Sequence, residues 1–205
     1  MSGKEISPWH VGVAAEAYAA ALFARYGYDV SVQYGANQPE YDLIAVSGDK
    51  ILKISVKGSQ DGSWGLTQSF KKDCDYHEAI AKWLDAHHKK TIFCLVQFKN
   101  TAPNEMPRVY LASPKEIADR MNATAGGRGD TILYEDHTWS ARAAGHGTTD
   151  RIPDDWIISS ERLKRCSKNM ANEERCTINE KPGSPFKRSW FSVVTVGLEP
   201  TTPSM

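Results

Sequence analysis

The segment of the sequence that most narrows the choice of fold is the nearly continuous apolar run at residues 91–98, TIFCLVQF. A strand with one side in water would alternate apolar and polar residues along such a run. An almost uninterrupted run is typical of a strand that is covered on both sides, as in a sheet with helices on its two faces. Residues 91–98 therefore favour an α/β protein.

The segments before this run predict the rest of the core. Residues 10–26 are rich in Ala, lack Pro and are followed by Gly27, which predicts a helix. Short segments with β-branched or aromatic residues between turn residues predict strands at 28–34, 40–46 and 50–57. The last two strands are predicted to form a hairpin across the turn at 47–49, and a Gly/Ser-rich loop is predicted at 58–65. Apolar residues at helical spacing predict a second helix at 71–88. The order α-β-β-β-α-β predicts a three-layer α/β sandwich with a central mixed β-sheet.

The second half of the sequence gives weaker signals. A strand is predicted at 108–112, then a helix that starts at the Ser113 cap. Further strands are predicted on either side of a loose loop at 136–154, at residues 131–135 and 155–159. We assign residues 1–160 to one domain. We expect residues 161–205 to be a poorly ordered extension, because no helical or strand period there would dock it.

Composition limits the classes of function. The 25 basic and 25 acidic residues balance, which argues against a protein that coats nucleic acid but leaves room for a local basic groove. The four Cys residues form no CxxC pair and match no common zinc spacing. A reduced, cytoplasmic setting is expected, with no signal peptide and no membrane partner.

Glu16 is an unusual residue in the first predicted helix. It is the only acidic or basic residue between Glu5 and Arg25, and its helical neighbours are small or apolar. A carboxylate on such a face is expected to be partly buried, which is costly unless another group satisfies it. The alternative is that the helix is simply rich in Ala and that Glu16 faces solvent.

Two further residues stand out on the predicted strands. Asp42 opens the strand at 40–46, although Asp is depleted in strands; the alternative is an ordinary turn residue. Lys57 ends the next strand and shares a polar face with Ser55, since residues two apart point to the same side. Taken alone, Lys57 would be read as a solvated lysine at a strand end.

The combination resembles the PD-(D/E)XK nuclease superfamily, which has the restriction-endonuclease-like fold. The resemblance covers about residues 10–98 and rests on Gly12 and Glu16, on Asp42, and on the segment from Ser55 to Lys57. It implies an Mg²⁺- or Mn²⁺-dependent endonuclease that hydrolyses DNA phosphodiester bonds, often as a homodimer. Asp42 and Glu16 would bind the metal, and Lys57 would act on the attacking water and the transition state.

One position departs from the family pattern. Ser55 stands where the family has Glu, Asp or sometimes Gln two residues before the lysine, so the metal would have a neutral hydroxyl there. Either Glu16 supplies the missing carboxylate, or catalysis is lost and the chain binds nucleic acid or a protein partner. Lys71 and Lys72 are candidate DNA-phosphate contacts, with a solvated helix end as the alternative. Trp64 would stack on a base or, as we favour, cover the core.

Overall fold

The computed structural model describes residues 6–33, 40–143 and 145–177, with side chains as far as residue 168. Its helices are α1 (Pro8–Arg25), α2 (Tyr76–Ala86), α3 (Pro114–Asn122), the short α4 (Thr124–Gly127) and α5 (Ser160–Thr177). Its longer strands are β1 (Asp29–Val32), β2 (Leu43–Ser47), β3 (Lys50–Ser59), β5 (Thr91–Gln97) and β6 (Arg108–Ala112). Four three-residue strands are β4 (Ser63–Gly65), β7 (Ile132–Tyr134), β8 (Asp136–Thr138) and β9 (Thr149–Arg151).

The five longer strands form one mixed sheet in the order β1-β2-β3-β5-β6. All neighbours are antiparallel except β3 and β5, which run parallel because the segment containing α2 crosses over between them. β2 and β3 form the predicted hairpin, in which Ser47 pairs with Lys50. Every residue of β5 is buried. The predicted α/β sandwich with a central mixed sheet is therefore confirmed.

Helices cover both faces of the sheet and enclose two apolar clusters. The face under α1 and α5 is packed mainly with aliphatic and small side chains, among them Ala15, Ala19, Leu43, Ile54, Val56 and Leu163. The face under α2 and α3 is packed with rings as well as aliphatic groups, among them Trp64, Trp83, Phe93, Tyr110, Ile117 and Trp156. None of the helices in the described ranges is long and apolar enough to cross a membrane.

The chain after β3 is more ordered than its sequence indicates. The predicted Gly/Ser loop at 58–65 is partly strand, because β3 continues to Ser59 and β4 pairs with β7. The predicted loose loop at 136–154 contains the β8–β9 hairpin. The strand predicted at 155–159 is wrong: a 3-10 turn at Asp154–Trp156 buries Trp156, and only Ile157 makes a bridge, to Tyr110.

The expectation that nothing after residue 160 would dock was also wrong for the first turns of α5. Leu163 and Cys166 pack into the cluster under α1, and Arg162 is only 2% exposed. The guanidinium group of Arg162 donates to the Leu111 carbonyl at 2.8 and 3.0 Å and pairs with Glu116 at 2.8 Å. The polar sequence did not indicate that this helix docks, because the residue that fixes it is an arginine and not an apolar side chain. Residues 178–205 of the predicted extension lie outside the described residues.

Candidate functional site

Asp42 lies where β2 begins and is tied to both neighbouring strands. Its N–H donates to the Ile54 carbonyl at 2.8 Å, and its carbonyl accepts from Gln33 at 2.9 Å. The backbone ladder between β2 and β3 ends at the pair Leu43–Ile54. Beyond that pair, the N–H of Val56 has no acceptor in the β2 backbone, and it donates to Asp42 Oδ2 at 2.6 Å instead. This bond holds the carboxylate beside the end of β3.

Lys57 and Ser55 share one face of β3, as predicted, opposite Leu95 and Phe93 of β5. Lys57 is partly exposed, whereas Ser55 is only 2% exposed. The carbonyl of Lys57 accepts the indole N–H of Trp64 at 3.0 Å. Trp64 is buried, so the interpretation that it covers the core is confirmed. The indole hydrogen bond also fixes the backbone of β3 at Lys57.

Glu16 reaches this end of the sheet because α1 crosses β3 very closely at Gly58. A Cβ atom on Gly58 would lie 2.8 Å from the Val11 carbonyl oxygen and 2.9 Å from the Ala15 Cβ. Real side chains do not make such contacts, so the crossing requires glycine. Ala15 is fully buried at the crossing, and the next residue, Glu16, lies at the edge of the contact and is partly exposed.

Two charged residues near the end of β3 act on the carboxyl group of Glu16. The pKa of Glu16 is raised, first by its burial and then by the negative charge of Asp42, while the ammonium group of Lys57 partly offsets both effects. The interaction between two charges weakens with distance and is stronger where water is partly excluded. Glu16 therefore lies within electrostatic range of both Asp42 and Lys57, although the three residues are far apart in sequence.

The groups at this site suit a hard divalent cation with few protein ligands. Within the part of the chain that the structure describes, no three His, Cys, Asp or Glu side chains come together as a metal-binding group. The candidate ligands are the carboxylates of Glu16 and Asp42, together with the predicted Ser55 hydroxyl, whose side chain is almost fully buried. Mg²⁺ is commonly held by one or two carboxylates and several waters. Burial and, after it, repulsion by Asp42 raise the pKa of Glu16, and such a cation would relieve the repulsion.

The two lysines predicted to contact DNA lie in the loop before α2. Lys71 Nζ donates to the Cys74 carbonyl at 2.6 Å and lies over the ring of Tyr76, 4.8 Å from its centroid. Lys72 is exposed. Both lysines therefore stay candidates for phosphate contacts from the loop before α2.

Sequence reasoning missed the residues that hold the turn after β3. The Ser59 hydroxyl donates to Asp61 Oδ1 at 3.0 Å and accepts from the buried Gln97 amide at 3.1 Å. Burial acts to raise the pKa of Asp61, but hydrogen bonds from Ser59 and Ser63 outweigh it and lower the pKa. The spacing Ser-x-Asp-x-Ser was the available signal for this local network.

Comparison with known proteins adds little to this geometry. No protein-family model matches the chain, and a search of curated proteins finds no match. Among solved structures, the chain is similar to one described as a bacterial homing endonuclease, I-Ssp6803I, with a TM-score of 0.43 and 14% identity. The similarity covers 83% of this chain and 99% of that one. At this level it supports no conclusion about function, which must come from the residues of the site.

Proposed function

We propose that this protein hydrolyses DNA phosphodiester bonds with the help of Mg²⁺ or Mn²⁺, at the site formed by Glu16, Asp42 and Lys57. The observation that carries the proposal is the hydrogen bond of the Asp42 carboxylate to the N–H of Val56, one residue before Lys57, with Glu16 near enough for the charge of Asp42 to act on its carboxyl group. Two carboxylates and a lysine at one end of a sheet offer ligands for a cation and a positive charge for a phosphate.

Asp42 and Glu16 would hold the cation from two different elements, the start of β2 and helix α1. The Val56 N–H binds Asp42 Oδ2 and sets the orientation of the carboxylate, so Oδ1 is the oxygen best suited to a metal. Glu16 comes from α1, whose position is fixed by the contact at Gly58. When bound, the cation would polarise the phosphate and lower the pKa of a bound water.

Lys57 would act on the reacting phosphate itself. Its backbone is fixed by the Trp64 indole, while its side chain remains partly exposed. An ammonium group at this position can orient the attacking water by hydrogen bonds. It also offsets the negative charge that grows on the phosphate oxygens in the transition state.

Ser55 favours a second candidate function, which is binding of nucleic acid or a protein partner without catalysis. Its hydroxyl carries no charge and its side chain is 2% exposed, so it is a poor substitute for a carboxylate ligand. The described residues offer no third acidic, His or Cys ligand in its place. The two candidates therefore differ in whether two carboxylates suffice to hold the catalytic cation.

A cleavage assay on supercoiled plasmid DNA distinguishes them. We expect nicking with Mg²⁺ or Mn²⁺ and none with a chelator. Asp42→Asn and Lys57→Met should each lower the rate about 100-fold or more, because each removes a charge used in the transition state. Lys50→Ala, at the exposed far end of β3, is the matched control and should cut normally. Equal nicking by all variants would reject the proposal, and metal binding without nicking would favour the second candidate.

The role of Ser55 can be tested separately by adding a carboxylate. Ser55→Asp is the smaller change, and Ser55→Glu places a longer ligand beside Lys57. If Ser55 is a weak ligand, Mn²⁺ affinity measured by calorimetry should rise in at least one variant, since a carboxylate adds a Coulomb attraction. If the wild type cuts well and both variants cut less, Glu16 already completes the site.

A further inference from the structure

Six side chains form a continuous surface row on the same side of the sheet as α2. Cationic and aromatic groups are interleaved along it, and we call it the cation–aromatic row. Its members come from the loop before α2, from α2 itself and from the segments around β7 and β8; they are Lys71, Tyr76, Arg128, Trp139, His137 and Tyr134.

Each member of the row contacts the next. Lys71 Nζ and Arg128 Cζ lie 4.8 and 5.3 Å from the centroid of the Tyr76 ring. Arg128 Cζ also lies 4.9 Å from the centroid of the Trp139 ring. Beyond it, the His137 ring is 4.7 Å from that of Trp139 and 4.4 Å from that of Tyr134, centroid to centroid.

The row is neither buried nor fully neutralised. All six side chains are partly exposed. Arg128 pairs with Asp130 at 3.2 Å, but a guanidinium group has five N–H donors, and stacking on a ring leaves its edge accessible. Lys71 donates to a backbone carbonyl and, within the described residues, pairs with no carboxylate. The row therefore offers two cations and several ring edges or faces to a ligand.

The row begins next to the end of β3. Tyr134 pairs with Ser63 across the β4–β7 ladder. The N–H of Ser63 donates to Asp61 Oδ1 at 2.9 Å and to Ser59 Oγ at 3.3 Å, in the turn that follows Lys57. The Tyr134 end of the row is therefore joined to the end of β3 through one strand pair and one turn.

We propose that the cation–aromatic row binds unpaired nucleotides of the DNA substrate, with Lys71 and Arg128 on phosphates and the rings on bases. The choice of DNA rests on the proposed function. Proteins that bind single strands combine basic groups that follow the backbone with aromatic side chains on which bases stack. The interleaved order of the row matches this chemistry, and guanidinium groups add cation–π contacts.

Binding of a fluorescently labelled oligodeoxythymidine, measured by anisotropy with a chelator present, tests the inference without cleavage. His137→Ala should weaken binding about 5- to 150-fold if one base stacks there. Lys71→Ala should weaken binding and reduce the salt dependence by the equivalent of about one phosphate contact. Lys50→Ala is the control, with equal charge loss at the exposed far end of β3, and should bind like the wild type. Melting temperatures confirm that each variant is folded.

The inference is overturned if folded Lys71→Ala and His137→Ala bind with wild-type affinity, or if a blunt duplex of equal length binds more tightly than the single strand. Asp42→Asn separates it from the proposed function, because that variant should lose cleavage and keep single-strand binding. Binding that depends on the row in a protein that never cuts supports the inference and rejects the proposed function. If the row variants bind the single strand normally and the protein still cuts DNA, the inference is rejected and the proposed function is supported.

Discussion

The two faces of the central sheet are packed in opposite ways. Under α1 the contact with β3 is made by small residues, and a Cβ on Gly58 would meet backbone at 2.8 Å. Under α2 and α3 the space is filled by large rings, among them Trp64, Trp83, Phe93 and Tyr110. The crossing of α1 over β3 is therefore sensitive to added atoms, and the aromatic face is sensitive to the removal of a ring.

This difference sets where functional groups can lie. The spacing between packed elements depends on the size of the side chains at the contact. Small residues let α1 lie so close to β3 that Glu16 reaches the environment of Asp42 and Lys57. On the other face, the rings fill the core beneath α2 and α3, and polar groups such as those of the cation–aromatic row remain at the surface.

Removing a ring from the aromatic face should have the largest effect on stability. Trp83 is 2% exposed, so Trp83→Ala is expected to lower the free energy of unfolding by about 3–5 kcal/mol. Denaturant unfolding measures this loss. Trp9→Ala is the control, because Trp9 is 70% exposed and its removal should change stability by less than about 0.5 kcal/mol. Equal losses in the two variants would contradict the account of this face.

Adding one methyl group to the other face should come next. Gly58→Ala is expected to cost about 1–3 kcal/mol, because the helix must move away from the new Cβ, and cleavage should fall as Glu16 moves with it. Gly12→Ala in α1 meets nothing within 4 Å and should stabilise the helix by about 0.5–1 kcal/mol. If both variants behave alike in unfolding and cleavage assays, the close crossing does not position Glu16.

Asp42 separates a structural role from a catalytic one. Asp42→Ala leaves the N–H of Val56 without its acceptor, and we expect a loss of about 1–3 kcal/mol in thermal unfolding. Asp42→Asn keeps an oxygen for this N–H and should be nearly as stable as the wild type. Both should lose cleavage, because both lose the charge. An active Asp42→Asn would reduce the role of this residue to capping the end of the β2–β3 ladder.

The smallest effect concerns pH. Because its pKa is raised above the usual 4.5, the carboxyl of Glu16 binds its proton more tightly in the folded protein than in the unfolded chain. Its contribution to stability is therefore present below pH 4.5 and is lost as the pH rises through the folded pKa. Without metal, Glu16→Gln should be slightly more stable than the wild type at neutral pH and no more stable at pH 4. If the wild type and Glu16→Gln differ in stability by the same amount at both pH values, the pKa of Glu16 is not raised in the folded protein.

Much of the first half of the fold was predictable from the sequence, since its elements carry strong local signals. The uninterrupted apolar run predicted the buried strand β5, and the turn after Ser47 predicted the hairpin of β2 and β3. The capping box at Ser113 and Glu116 predicted the start of α3. In each case the information lies within a few neighbouring residues, which is the range over which sequence patterns are reliable.

The candidate site was predictable only in its residue types. Glu16 and Asp42 stood out because a charge on an apolar helix or strand is costly. The approach of Glu16 to β3 depends on Gly58, whose close contact with α1 cannot be read from the sequence. The docking of α5 depends likewise on Arg162 binding a distant carbonyl, which no local period reveals. Long-range polar contacts were the part that the sequence did not show.

The claim that Glu16, Asp42 and Lys57 form one site is tested most directly by measuring the pKa of Glu16 with carbon-13 NMR of its carboxyl group. In the wild type the pKa should lie above 4.5. Asp42→Asn should lower the pKa, because it removes a negative charge. Lys57→Met should raise the pKa of Glu16 further, because it removes a positive charge. Addition of Mg²⁺ without Mn²⁺ should lower the pKa of Glu16 in the wild type. A pKa of Glu16 that responds to neither substitution would contradict the account.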